Sequence, residues 1–335
     1  QIGLQPDMLV CRSDRKIPTE QLRKIAQFCN VKPDRVFEAL DADSIYRLPL
    51  LMNNQGFDQA IVETLNIWTG APDLAAWRRI VHNLDHPAAK TKIAVVGKYV
   101  GVFDSYKSID ESLVHAGIAN SCKVDVEYLD ADEINPANAS QLLAPFDAIL
   151  VPGGFGSRGV EGKITAIKYA RESDKPFFGI CLGMQLAAIE FARNALQLAR
   201  AHSQEFDAQS PDQVIHLMDS QKSVTSKGGT MRLGAYPCLL ASGSRSHKAY
   251  GGSEISERHR HRYEFNNSYR ARFESAGVIF AGVSPNRDLV EIMEIKDHPW
   301  FVACQFHPEL KSRPTKAHPL FREFVAAAVM SKKGS

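Results

Sequence analysis

The hydrophobic positions of this chain fall into two regimes. Up to about residue 86 they form short, irregularly ordered patterns. An apolar run predicts a strand over 7–11, residues 13–18 are polar, and Leu22, Ile25, Ala26 and Cys29 recur at helical spacing, predicting a helix over 19–30. Further helices are expected around 48–52 and 57–68. Thr69-Gly70-Ala71-Pro72 then breaks the pattern, a short amphipathic helix runs through Trp77 and Ile80, and His86-Pro87 opens a polar hinge. The domain boundary is expected at 86–91.

Beyond it the order becomes regular. KIAVVG at 92–97 is a buried-strand run, 105–120 carries Ile109, Leu113 and Gly117 on one helical face, and Val124, Val126 and Tyr128 alternate as in a half-buried strand. A strand over 146–151 ends in Pro152-Gly153-Gly154, a helix covers 160–172, and a strand over 176–180 runs at Cys181 straight into a long helix. This order predicts an α/β fold with a mainly parallel sheet covered by helices on both faces. Such sheets place their sites at the carboxyl ends of the strands, where the turns at 153–156 and 179–183 both fall.

Composition narrows the setting. A chain of 335 residues, 44% hydrophobic and 23% charged, is that of a soluble globular protein with room for two domains. Forty basic residues stand against 38 acidic ones, a net charge of +2, so neither nucleic acid nor an acidic membrane is an expected partner. The longest apolar stretch, 177–192, is interrupted by Gln185 and Glu190 and is too short to span a bilayer. The chain opens on Gln1 in mid-pattern, without a Met or a signal-like tandem, and so reads as a piece of a longer protein. Six cysteines, at 11, 29, 122, 181, 238 and 304, include no CxxC pair, which argues against a disulfide scaffold or a zinc site and for a reducing, cytoplasmic setting.

One cysteine stands apart. Cys181 has glycines two residues to either side, at a strand-to-helix junction. That pattern matches the nucleophile elbow, whose small neighbours permit a sharp turn that lifts the reactive atom out of the sheet. A helix N-terminus favours the thiolate, which matters because a free thiol with a pKa of ~8.5 is only slightly ionised at neutral pH. A base and an orienting carboxylate lie at the end of the strand at 300–306. His307 and Glu309 are two apart, so both point to one side. The two glycines that follow Pro152 can turn backbone N–H groups toward the site, supplying one donor of an oxyanion hole, and the N–H of Leu182 would be the second. Arg258, Arg260 and Arg262 alternate with His259, His261 and Tyr263, which on a strand divides them between two faces.

In this order V-P-G-G-F-G, G-I-C-L-G-M-Q and F-H-P-E resemble the signature set of the class I glutamine amidotransferases, over about 92–330. More narrowly, GFGSRGVEGK, GGTMRLG, ERHRHRYEFNN and HPWFVACQFHPE are similar to the CTP synthase family. QIGLQPDMLVCRSDR and DADSIYRLP resemble the last part of that family's synthetase domain. The resemblance implies an amidotransferase domain over 91–332, preceded at 1–85 by a linker and the remnant of a P-loop-type α/β synthetase domain. It implies that glutamine is hydrolysed through a thioester and that the ammonia travels to a synthetase site. There ATP with Mg2+ has phosphorylated a uracil oxygen of UTP, and GTP acts as activator. By the same resemblance Cys181 is nucleophile, His307 base and Glu309 its partner; Gly154 and Leu182 hold the oxyanion; Gly154, Gln185, Glu205 and Arg262 hold glutamine. Phe155, Arg158, Glu161 and Arg232, with Gly228-Gly229-Thr230, match the GTP-accepting region. Arg12 and Lys24 match the nucleotide site of an intact enzyme. No metal ligand is implied in this chain, and a homotetramer is. The polar stretch 207–227 reads equally as a mobile lid or a solvated loop, and 242–252 departs from the family's pattern.

A phosphate loop G-x-x-x-x-G-K-[ST] occurs nowhere. Gly162-Lys163 imitates its end, but Ser157 stands where the first glycine belongs and Ile164 follows the lysine. The loop and the UTP-binding segments are expected to precede Gln1, so this chain by itself is expected to release ammonia and to make no CTP.

Overall fold

The computed structural model describes residues 3–98, 106–218 and 231–333. The chain divides between His86 and Pro87 into two compact units.

The first unit begins with β1 (Leu9–Ser13) and α1 (Thr19–Phe28), then β2 (Val36–Leu40), α2 (Leu48–Asn54), α3 (Phe57–Thr64) and α4 (Ala75–Asp85). β1 and β2 pair in parallel, Leu9 opposite Val36. The sequence pattern did not reveal β2, because its five residues carry a central Glu38 and show no clean alternation. Its strand form is fixed by tertiary partners. The Gln55 side chain takes the place of a neighbouring strand, accepting from Glu38 N at 2.9 Å and donating to Glu38 O at 2.9 Å. A small cluster of Ala26, Val31 and Val36 is buried beneath the pair. Arg47 binds both Asp43, at 2.6 Å, and Asp85, tying the start of α2 to the end of α4.

The second unit runs β3 (Ala89–Gly97), α5 (Lys107–Ala119), β4 (Cys122–Asp130), α6 (Ala139–Leu143), β5 (Ala148–Val151), α7 (Val160–Glu172), β6 (Phe177–Ile180) and α8 (Leu182–Asn194). It continues with β7 (Ala201–Ser203), β8 (Asp212–Leu217), β9 (Arg232–Leu240), α9 (Arg245–Tyr250), β10 (Glu254–His261) and β11 (Tyr263–Phe265). The chain ends α10 (Arg270–Ser275), β12 (Val278–Val283), β13 (Val290–Ile295), β14 (Phe301–Cys304) and α11 (Pro319–Lys333). Nine strands form one sheet in the order β10-β9-β12-β13-β14-β6-β5-β3-β4. From β14 to β4 the neighbours are parallel; from β14 to β10 they are antiparallel. The parallel half is the part that the alternation of strands and helices predicted.

Residue parity builds the two faces. Ala94, Val96, Ile149, Val151 and Phe177 join α7 and α8 in one buried cluster, while Ile93, Val95, Leu150, Phe178 and Ile180 join α5 and α11 in another. Neighbouring residues of each strand therefore serve opposite cores, as in a sheet covered on both sides. Glu190, which interrupts the apolar run of α8, is fully buried and held by Arg171 at 2.9 Å. Among the described residues no helix is long and apolar enough to cross a membrane.

The stretch 242–252 contains α9, which sequence did not reveal. Ser244 Oγ accepts from His247 N at 3.1 Å, and the buried carboxylate of Glu294, from β13, accepts from Arg245 N at 3.0 Å and Ser246 N at 2.8 Å. A six-residue helix is marginal by itself, and here a distant carboxylate supplies its cap.

Candidate active site

Three neighbouring parallel strands, β5, β6 and β14, end side by side, and the loops leaving them carry the candidate residues. The β6 turn is the tightest. Cys181 holds φ 53° and ψ −103°, a conformation in which an L-residue is strained, and its N–H donates to Cys304 O at 2.7 Å. The flanking glycines make room for it: a Cβ on Gly183 would stand 2.2 Å from Val151 O, and one on Gly179 2.9 Å from the Gly183 backbone. Leu182 begins α8, so its N–H has no acceptor within the helix and points to the same end of the sheet as the sulfur.

β14 delivers the base. His307 Nδ1 and Glu309 Oε1 are 2.7 Å apart, and the His307 N–H donates to Arg258 O at 2.8 Å. Burial pushes the imidazole's pKa down, but the charge of Cys181 and the charge and hydrogen bond of Glu309 outweigh it and hold the pKa up at about 10. Beside a charged Cys181 the imidazole is thus held protonated at neutral pH. Gly153 closes the third side, where a Cβ would lie 3.0 Å from His307 Cε1 and 3.4 Å from Cys181 Cβ. A side chain there would wedge between the two reacting groups. A Cβ on Gly154 would fall 3.6 Å from Leu182 Cδ2, so the two expected oxyanion donors are neighbours.

Gln185, Glu205 and Arg262 converge on Tyr263, a residue that sequence reading did not assign. Gln185 Nε2 donates to Tyr263 O at 3.1 Å. Burial and then the Glu205 charge push the Tyr263 phenol up, and Arg262 pulls it down, so both charges act at this ring. An arginine and a glutamate whose charges both act at the Tyr263 ring offer partners for a carboxylate and an ammonium group.

The four residues expected to meet GTP do not form one group. Phe155 is 48% exposed under the Arg260 guanidinium, 5.4 Å from it, and Arg158 pairs with Asp132 at 3.3 Å on the surface. Glu161 is engaged by Arg193 at 2.9 Å. Arg232 lies on the opposite, buried face of the β9–β10 pair, joined to Glu291 at 2.7 Å and to His259 Nδ1 at 3.2 Å. Burial first and the Arg232 charge second push His259 and His261 down to about 2 and about 3, so both are neutral. A guanidinium occupied in this way is not presented to a phosphate. The alternation of β10 thus divides its basic run as expected, with Arg258 and Arg260 outward and His259 and His261 inward. Gly228-Gly229-Thr230 and residues 219–227 of the polar stretch lie outside the described residues. In the first unit Arg12 pairs with Asp41 at 3.3 Å and Lys24 with Glu20 at 2.8 Å, both exposed.

Two lysines under the Gly153–Gly156 turn were also missed. Lys98 is 5% exposed and its ammonium donates to Phe155 O. Lys163 is fully buried, its Nζ lies 3.9 Å from the position of a Cβ on Gly154, and it has no hydrogen-bond partner among the described residues. Burial, and then the Lys98 charge, push it down to about 8. The sequence signal was available: a lysine at helical spacing between Val160, Ile164 and Ile167 faces the core.

The sequence model described as "Glutamine amidotransferase class-I" matches residues 101–327, and that described as "CTP synthase N-terminus" matches 1–67. The chain belongs to the class I glutamine amidotransferase family, in its CTP synthase branch. It is 56% identical over 334 residues to the CTP synthase of Geotalea uraniireducens and 54% identical over 330 to that of Geobacter metallireducens. It spans about 62% of the length of these relatives. A solved glutaminase domain of the CTP synthase of Trypanosoma brucei, with bound acivicin, superposes with a TM-score of 0.68 at 37% identity, covering 72% of this chain and 94% of that one.

Proposed function

We propose that this chain is the glutaminase-bearing portion of a CTP synthase, a C–N bond-forming ligase that aminates UTP at the expense of ATP with ammonia from glutamine. The observation that carries the proposal is the strained Cys181 turn set against a His307 whose Nδ1 lies 2.7 Å from Glu309 Oε1, with Gly153 leaving room between Cys181 and His307. In this reading the Cys181 thiolate attacks the side-chain amide carbon of glutamine. The N–H groups of Gly154 and Leu182 receive the charge that develops on its oxygen. His307 gives its proton to the departing nitrogen, leaving ammonia and a thioester. The imidazole then takes a proton from water, whose oxygen displaces the sulfur and releases glutamate. Glu309 keeps the ring oriented throughout. Arg262 and Glu205 would bind the α-carboxylate and α-ammonium of glutamine, with Gln185 beside them.

UTP, ATP and Mg2+ belong to the synthetase reaction. Among the described residues no cluster of three or more His, Cys, Asp or Glu could hold a metal ion, so no step is assigned to this chain through Mg2+. Arg12 and Lys24 are placed near the nucleotide by family resemblance only. GTP as activator is assigned to Phe155 and Arg158, with Glu161 at the edge of that surface. A cytoplasmic homotetramer completes the reading.

The test is Cys181→Ser, which should abolish glutamine hydrolysis, because an alcohol is far less ionised than a thiol beside the same base. A glutamine-analogue electrophile should modify Cys181 in the parent chain and nothing in the variant, and acivicin, which the trypanosome domain binds, is a suitable probe. Hydrolysis at the parental rate by the serine variant would refute the assignment.

A further inference from the structure

A buried amide lies beside the Cys181 sulfur. Gln305 directly follows β14, is 1% exposed, and its backbone N–H donates to Glu291 O at 2.9 Å, so it is fixed along the main chain and closed to water. Its Nε2 stands 3.7 Å from Cys181 Sγ. At that position the orientation of the amide decides the chemistry, because an N–H favours a thiolate and a carbonyl oxygen opposes one.

The orientation is set from a distance. A backbone carbonyl can only accept, so the end of Gln185 that lies 3.1 Å from Tyr263 O is its NH2 group. The same NH2 group reaches Gln305 at 3.2 Å, and the atom meeting it there must be Oε1. Nε2 is thereby left to face the sulfur. One main-chain carbonyl fixes the polarity of two buried amides in series. Arg260 O stands 3.9 Å from the sulfur as well, which suits the S–H of the neutral thiol. The pocket thus offers an acceptor for the protonated sulfur and a donor for the ionised one, with His307 to carry the proton between the two states.

We infer that Gln305 is a catalytic residue of the glutaminase site, donating an N–H to the Cys181 thiolate, and that Gln185 and the Tyr263 carbonyl position it. The inference rests on Cys181 being the nucleophile. Gln185 consequently acts twice, with its NH2 spent on Tyr263 and Gln305 and its Oε1 left to accept from glutamine.

The experiment follows alkylation of Cys181 by iodoacetamide against pH in the full 335-residue chain, reading the modified peptide by mass, alongside kcat and KM for glutamine. Gln305→Met keeps the volume and removes the donor. It should raise the midpoint of Cys181 alkylation by about one unit and lower kcat about tenfold with KM changed less than about twofold, as for loss of one hydrogen bond to a charged group. Gln305→Glu, close in shape and polarity, puts an acceptor against the sulfur and should raise the midpoint further; it carries the test if the methionine variant does not fold. Gln185→Met frees the amide to rotate and should shift the midpoint in the same direction by less. An unchanged midpoint in both Gln305 variants overturns the inference whatever happens to kcat, since packing alone would not move it. Retained hydrolysis by Cys181→Ser would instead strike the nucleophile assignment, leaving a shifted midpoint as a fact about the thiol.

Discussion

Two turns leave adjacent parallel strands of the same sheet, and they are built in opposite ways. The turn after β6 is closed on every side: Cys181 is 5% exposed in a strained conformation, with backbone within 3 Å of where a side chain on either flanking glycine would begin. The turn after β5 is open above and cationic below. Phe155 and Arg158 face solvent, and Lys98 and Lys163 lie underneath, only the first of them hydrogen-bonded to the turn. The first turn presents an atom that must not move relative to its base. The second presents backbone donors whose placement a ligand could still adjust. Strain is affordable where packing over-determines it, and adjustment requires groups that have not yet found partners.

The sharpest way to break this contrast is to fill the closed turn. Gly183→Ala places a methyl group 2.2 Å from Val151 O, a backbone atom that cannot move aside alone. We expect a destabilisation of about 3 kcal/mol or more and loss of glutaminase activity, read by thermal melting and ammonia release. A stable, active alanine variant would mean that the turn is far looser than its contacts.

The next largest effect concerns the base. Glu309→Gln keeps the shape but removes the carboxylate that, with Cys181, holds the imidazole up at about 10. The His307 pKa should fall, so the thiolate–imidazolium pair should survive over a narrower range and the alkaline limb of kcat/KM should move to lower pH. kcat should drop by about 10²-fold or more. An alkaline limb that stays in place would show that Cys181 alone sets the proton affinity of His307.

How much of this was legible in sequence follows from where each constraint resides. The Cys181 elbow was readable because the glycines it needs both lie within one strand-turn-helix, although the atoms that demand Gly183 belong to Val151 of β5. His307 and Glu309 were singled out together on strand parity. β14 stops at Cys304, however, and Glu309 sits in a 3-10 turn at 308–310, so it is that turn which brings the carboxylate to the imidazole. Gln305 and Tyr263 were not readable, since an amide's polarity depends on partners 78 and 120 residues away from Gln185. The burial of Arg232 was hidden for the same reason, because its partner Glu291 comes from β13, 59 residues further along the chain. α9 and β2 were missed because Glu294 and Gln55 hold them from outside. Motif reading finds what neighbours in the chain enforce and passes over what the fold brings together.

The cationic floor of the open turn offers a pH test of moderate size. Lys163 is pushed from its usual 10.5 down to about 8 by burial and by Lys98, so the unfolded chain binds the proton more tightly than the folded one. The sign follows: the native state is penalised below about 8, and the penalty fades as pH rises from there toward 10.5. Lys163→Met should therefore be the more stable protein at pH 7, by about 1 kcal/mol, with the advantage shrinking through that window. Denaturant melts at pH 7 and pH 10 measure it. An advantage independent of pH would attribute it to better packing and mean that the buried amine keeps its usual proton affinity.

The smallest effect is expected at the rim of the open turn, and it asks whether the turn is adjustable. Arg158 reaches the Lys98 carbonyl with its guanidinium and pairs with Asp132 at 3.3 Å, with 59% of its side chain exposed. An exposed ion pair of this kind contributes little to stability, about 0–1 kcal/mol, so Arg158→Ala should fold and melt nearly as the parent does. Its consequence should appear when an anion is added. If GTP binds over Phe155 and engages Arg158, it can order the Gly154 donor that the turn carries, and the variant should lose a larger fraction of its GTP stimulation than of its basal hydrolysis, by about threefold as for one weakened charged contact. The two rates are measured on the same preparation with and without GTP. Equal loss of both would make Arg158 a support of the turn through Lys98, and an undiminished response to GTP would place the effector on another surface, leaving the open turn to be explained by substrate entry instead.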